Sequence, residues 1–327
     1  MKNWLNLSKQ KQIDLFNHLS VRTGILPQAI EKDAWVSLIL RMVFSSQLNE
    51  YFVFKGGTSL SKAYKLIERF SEDIDLAIDR EYLGFKGDLT KGEIRKLRRK
   101  SHDFVSGQMV IVLRNQLEKY GVDSNLYQII VENDKISDQD PETIKISYLS
   151  VFEELTYLEN RVLIEVGARS LLEPNSKIEI KSIIDEQYPE TPFAEKAFFV
   201  NTVTPEKTFL EKTILLHEEF QKPKEKIRYE RMSRHLYDIG QIIKTEFGDR
   251  AVKDTELFTT IIKHRKVFTP IKSVDYDNLN FEMLEIIPPD GLFDMYKKDY
   301  EKMQENMIYG NSLTFEDLIK EINTHCR

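Results

Sequence analysis

The chain has 327 residues, of which 41% are apolar and 31% charged, and its formal net charge is −6. That length suits two domains of ordinary size, each burying its own core. The single cysteine, Cys326, excludes an intramolecular disulfide and leaves a cysteine-based zinc site without ligands, so any metal is expected to be a hard ion on oxygen. No run of about 18 apolar residues is present, and the N-terminal Met-Lys-Asn-Trp-Leu lacks the apolar core of a secretory signal, so a cytoplasmic protein is expected. The acidic balance argues against indiscriminate coating of nucleic acid, although residues 91–100 and 222–234 are locally basic.

In chain order, residues 7–22 and 27–47 predict helices, the second with Ile30, Trp35, Leu38, Leu40, Met42 and Val43 on a broad apolar face. A short apolar strand at 51–55 runs into Gly56-Gly57 and a helix, and a second strand, 72–78, carries Asp73 and Asp75. Thr90 and Glu93 fit a capping box opening a helix that continues toward Tyr120. Strands are expected at 127–131, 143–149 and 162–166, with 177–184 and 197–203 as two more. At Thr204-Pro205 the character changes: Thr204 suits an N-cap, Pro205 suits the first helical position, and helical patterns dominate from there on. Residues 1–204 therefore read as an α+β or α/β domain. Residues 205–327 read as a mainly helical one with loops around Pro270 and Pro288-Pro289.

Strand side chains alternate faces, so Asp73 and Asp75 point one way while Ile74 and Leu76 enter the core. A carboxylate pair opposite a glycine turn whose amides can meet phosphate supplies the two parts that a metal-bound nucleoside triphosphate needs. Taken singly, each part is ordinary. Gly56-Gly57 followed by Lys62 is not a P-loop and equally describes a tight turn with a surface lysine, and acidic residues are common on a solvated strand face. Glu165 sits in the apolar stretch 161–167 and completes the platform if that strand lies beside the one carrying Asp73 and Asp75; otherwise it is an edge-strand residue facing water. Farther on, Phe209, Thr213, Leu216 and Phe220 form a packing stripe with Lys212 off it, and Asp238 ends a polar cluster that starts at Arg234. Lys212 could face a triphosphate, and Asp238 the lysine, a base or a substrate hydroxyl; a surface salt bridge is the plainer reading.

Phe54-Lys55-Gly56-Gly57-Thr58-Ser59-Leu60-Ser61-Lys62, Arg69-Phe70-Ser71-Glu72-Asp73-Ile74-Asp75-Leu76, Glu165-Val166-Gly167-Ala168-Arg169, Pro205-Glu206-Lys207-Thr208-Phe209-Leu210-Glu211-Lys212 and Arg234-His235-Leu236-Tyr237-Asp238 together resemble the AbiEii/AbiGii nucleotidyltransferase toxins, of the DNA polymerase β-like nucleotidyltransferase superfamily. The resemblance runs in order from about Glu31 to Asp238. It implies an α+β fold, with a mixed sheet flanked by helices and a mainly helical C-terminal domain. It further implies the toxin of an abortive-infection or type IV toxin–antitoxin pair that defends against phage, using a nucleoside triphosphate and Mg²⁺.

In that reading Asp73, Asp75 and Glu165 hold one or two Mg²⁺ ions, with Glu165 as ligand or base. Gly56, Gly57, Thr58, Ser59 and Lys62 grip the nucleotide, and Lys212 and Asp238 match later motifs of the family. Thr58 stands where the superfamily has serine, which leaves Thr58 and Ser59 as alternative phosphate contacts. The implied partners are a transfer RNA or other RNA acceptor and a cognate antitoxin that need not form a stable complex. Basic residues Lys91, Arg95, Lys96, Arg98, Arg99 and Lys100 could follow an RNA backbone or form a solvated face. Rival readings are a non-catalytic nucleotide- or antitoxin-binding module with a degenerate fold, and an enzyme that modifies a protein or small molecule.

Overall fold

The computed structural model describes residues 3–132, 140–153 and 158–326. The chain divides into two units, Met1–Ala63 with Ser71–Thr202, and Tyr64–Phe70 with Val203–Arg327.

The first unit is built on a seven-stranded mixed sheet. Its elements run α1 (Lys9–Thr23), α2 (Pro27–Phe44), β1 (Phe52–Lys55), α3 (Gly56–Lys62), β2 (Asp73–Ile78), α4 (Lys91–Asp103), α5 (Val110–Tyr120), β3 (Tyr127–Val131), β4 (Glu142–Tyr148), β5 (Arg161–Gly167), β6 (Asn175–Ile180), α6 (Ile183–Gln187) and β7 (Phe198–Val203). The strand order is β3-β4-β5-β2-β1-β7-β6. β2 runs antiparallel to β1 and parallel to β5, so β5 is an interior strand between β2 and β4. The edge-strand reading of Glu165 is thereby excluded.

One face of the sheet is apolar for a reason visible in its register. Ile144, Ile164 and Ile74 line up across β4, β5 and β2, and all three are fully buried. Trp35 of α2 stacks on Tyr148 of the same face with ring centroids 5.0 Å apart. α2 also carries three consecutive charges into the interior, each with a partner that makes burial tolerable. Glu31 accepts hydrogen bonds from the Ser150 hydroxyl at 2.5 Å and the Val151 N–H at 3.0 Å. Lys32 pairs with Glu72 and donates to the Glu159 carbonyl at 2.8 Å. Asp33 pairs with Lys62 and accepts from the Ile183 N–H at 2.9 Å.

The predicted helix from Thr90 to Tyr120 is present, and the Thr90–Glu93 capping box is closed in both directions. It contains one π-helical stretch, Phe104–Met109, between α4 and α5. The stretch predicted as one strand over 177–184 divides into β6 and α6 because Ser182 caps a helix, its hydroxyl accepting from the Asp185 N–H at 3.1 Å.

The second unit is helical: α7 (Pro205–Phe220), α8 (Ser233–Ile242), α9 (Glu246–Lys253), α10 (Thr255–Phe268), α11 (Phe293–Asn306) and α12 (Phe315–His325). The Thr204 carbonyl receives the Thr208 N–H at 3.1 Å, but the Thr204 hydroxyl caps nothing and is buried without a partner. Pro205, with its preset φ, opens α7 in place of the expected side-chain cap. The segment Tyr64–Phe70 belongs here, its Arg69 bridging Ile308 and its Phe70 N–H bonding to the Met307 carbonyl at 2.7 Å.

Candidate active site

Asp73 and Asp75 are half-buried on β2, while Ile74 and Leu76 between and beyond them are fully buried, as strand alternation requires. Lys55 pairs in register with Asp75, Asp75 with Glu165, and Glu165 with Thr143. Register neighbours share a face, so one row across four strands reads Lys55, Asp75, Glu165, Thr143, with Asp73 two residues along on the same side. This is the face opposite the Ile74–Ile144–Ile164 row.

Gly56 adopts φ +79°, and a Cβ placed there would lie 2.0 Å from Oδ2 of Asp75. The turn and the carboxylate are thus in close contact, which only glycine permits. The following hydroxyls are turned inward. Thr58 donates to the Asp73 carbonyl at 2.5 Å and Ser59 to the Gly56 carbonyl at 2.8 Å, and both residues are fully buried. The Thr58 hydroxyl in turn accepts from the Ser71 hydroxyl at 2.9 Å. The Thr58 bonds stitch the turn to Asp73 and to Ser71 just before β2, while the Ser59 bond closes the turn on itself. Lys62, expected to meet the nucleotide, is buried and ion-paired with Asp33 of α2.

Oxygen ligands on one face suit a hard divalent cation, and Asp73, Asp75 and Glu165 are the residues that would supply them. Among the described residues, no three His, Cys, Asp or Glu side chains are already drawn together as a metal cluster.

In the second unit, Lys212 of α7 and Asp238 of α8 meet with Nζ 3.0 Å from Oδ2. Asp238 is fully buried, and Arg69 grips it through Nε at 2.7 Å and a terminal nitrogen at 2.8 Å. Burial raises the Asp238 carboxyl, but Arg69 and Lys212 together outweigh it and hold the group well below the usual carboxylate range. Burial instead lowers the Lys212 ammonium, only partly offset by Asp238 because Arg69 and Arg234 add like charge. The His235 ring nitrogen Nδ1 lies 3.3 Å from Lys212 Nζ, and burial with those neighbouring cations pushes the imidazole well below its ordinary value. A neutral ring that accepts from the ammonium fits this geometry. Sequence reading named Lys212 and Asp238 but not Arg69 or His235 as their partners.

The family profile for the nucleotidyl transferase AbiEii toxin of type IV toxin–antitoxin systems matches residues 38–321. The chain belongs to the AbiEii nucleotidyltransferase toxin family. It is accordingly a nucleotidyltransferase. No curated protein matches it at a significant level. Solved structures similar to it include the following two. The nucleotidyltransferase toxin MenT4 from Mycobacterium tuberculosis is 12% identical, with 98% of each chain covered and a TM-score of 0.48. JHP933 from Helicobacter pylori is 14% identical, with 85% of this chain and 94% of that one covered and a TM-score of 0.38. Within the AbiEii chain the family profile spans the acidic row, the glycine turn, and both Lys212 and Asp238. Among the described residues no helix is long and apolar enough to cross a membrane.

Proposed function

We propose that the chain is a Mg²⁺-dependent toxin of a type IV toxin–antitoxin or abortive-infection system, transferring a nucleotide from a nucleoside triphosphate to an RNA acceptor such as transfer RNA. The observation that carries this reading is the row in which Asp75 and Glu165 stand side by side, with Asp75 touching Gly56. Asp73, Asp75 and Glu165 would hold the cation. When bound there, it supplies charge neutralisation for the triphosphate and lowers the pKa of the acceptor hydroxyl.

The chain's own residues divide the remaining work. Gly56 and Gly57 let the backbone come close to the phosphates; Thr58 holds that backbone to β2 through the Asp73 carbonyl, and Ser59 closes the turn on the Gly56 carbonyl. Lys62 keeps α3 on α2 through Asp33, which fixes where the turn begins. Asp238 acts as the counter-ion that holds Lys212 in place.

For the acceptor, Lys91, Arg95, Lys96, Arg99 and Lys100 of α4 are exposed. The helix carries six Lys and Arg against Glu93 and Asp103, in a chain whose net charge is −6. Residues four apart rise about 6 Å along a helix, so Lys91, Arg95 and Arg99 form a cationic ladder able to follow successive phosphates. A cognate antitoxin is the expected protein partner.

The test is incubation of the purified protein with each α-labelled triphosphate, Mg²⁺ and total bacterial RNA or protein. Label should enter RNA and be lost with EDTA. Label in protein alone, or none with any triphosphate, would refute the RNA reading.

A further inference from the structure

Lys55 ends β1 and is the register partner of Asp75. In such an antiparallel pair the two Cβ atoms stand about 4.5–5.5 Å apart on one face. A half-buried lysine in that position is ordinarily neutralised by the neighbouring carboxylate. Lys55 makes no ion pair and no side-chain hydrogen bond among the described residues.

The reason lies in the turn. Oδ2 of Asp75 leans over Gly56, into the space a Cβ would fill. The carboxylate therefore reaches along the chain to the glycine, and no ion pair with Lys55 forms. Two other lysines near the turn or in the later motif are committed, Lys62 to Asp33 and Lys212 to Asp238. Lys55 alone among these three keeps an uncommitted charge, and it stands on the carboxylate row.

We propose that Lys55 is a further substrate-contacting residue, its ammonium donating to a phosphate oxygen of the triphosphate whose cation Asp73 and Asp75 would hold. This rests on the nucleotidyl-transfer reading above. The competing role for such a lysine is to balance the carboxylate row in the free protein. The two roles have opposite signatures. A phosphate contact strengthens nucleotide binding, whereas a charge-balancing lysine weakens binding of the bare cation.

The experiment measures binding of ATP, GTP, CTP and UTP in Ca²⁺ by calorimetry, and of Mn²⁺ alone by electron paramagnetic resonance. It compares wild type, Lys55→Gln, Lys55→Arg and Asp75→Asn, with melting curves for each. Lys55→Gln should weaken binding of the preferred nucleotide by about tenfold or more, as expected for a lost charge-assisted bond, and leave Mn²⁺ affinity and melting temperature unchanged. Lys55→Arg should recover most of the affinity. Nucleotide binding equal to wild type in Lys55→Gln, or tighter Mn²⁺ binding with no change for nucleotide, would overturn the assignment while Asp75→Asn still loses both ligands. A lowered melting temperature with both affinities reduced and no rescue by arginine would make the role structural. If wild type binds no triphosphate, or Asp75→Asn binds as wild type does, the metal-site reading itself fails and takes Lys55 with it.

Discussion

Gly56 has two independent reasons to be glycine, a φ of +79° and the Asp75 oxygen where a Cβ would go. Gly56→Ala should cost about 1–3 kcal/mol from backbone strain, and it should also push Asp75 off the turn. Chemical denaturation checks the first, and loss of nucleotide binding beyond the stability change checks the second. Asp238 predicts a larger effect on folding. Asp238→Asn leaves Arg69 and Lys212 buried without their shared anion, which should destabilise by about 3–5 kcal/mol in a urea titration. A change under about 1 kcal/mol would show that water or another group takes over. At this scale the sequence was legible where period-two alternation applied, which placed Asp73 and Asp75 on one face. It could not pair Lys62 with Asp33, because that partner lies far upstream on another helix and no local pattern joins them.

Among elements, β5 decides most about the candidate site, since only its parallel pairing with β2 sets Glu165 beside Asp75. Sequence could mark 161–167 as an apolar strand but not name its neighbours, because pairing is long-range information. Helix α4 was legible from its capping box and its charge run. If it contacts RNA, Arg95→Glu with Arg99→Glu should weaken RNA binding and flatten the salt dependence by about 0.7–0.9 in log–log slope per lost phosphate contact. Folding stability should stay within about 0.5 kcal/mol, as for other exposed substitutions.

Helices α7 and α8 predict a pH effect. His217 accepts the Glu285 N–H through Nδ1 at 3.0 Å, and burial lowers this imidazole as it lowers His235. A histidine whose folded pKa lies below its unfolded value of about 6.5 binds its proton preferentially in the unfolded state. Stability is then fully present above pH 6.5 and declines as pH falls toward the folded pKa, by up to about 1.4 kcal/mol per pH unit for each such ring. Thermal melts between pH 8 and 5 should show that decline, and His235→Gln should make it shallower. An unchanged slope would mean that His235 is protonated in the folded protein.

For the whole molecule, the seven-strand sheet and the helical second unit follow from patterns readable in the chain: apolar strands, Gly-Gly punctuation, and the switch to helical periodicity at Thr204-Pro205. What could not be read was that Tyr64–Phe70, lying between two motif strands, belongs with the helical unit. Its seven residues carry no period of their own, and their place is set by Arg69 reaching Asp238 and by backbone bonds to Met307 and Tyr309. The most direct measurement of the proposed chemistry is transfer of labelled nucleotide to RNA by Asp73→Asn and Asp75→Asn, each compared with wild type at matched thermal stability. Removing a metal carboxylate forfeits several kcal/mol of transition-state stabilisation, so each variant should lose about 10³-fold or more in rate while melting as wild type does. Transfer at the wild-type rate by either variant would contradict the assignment of the β2 carboxylates to catalysis.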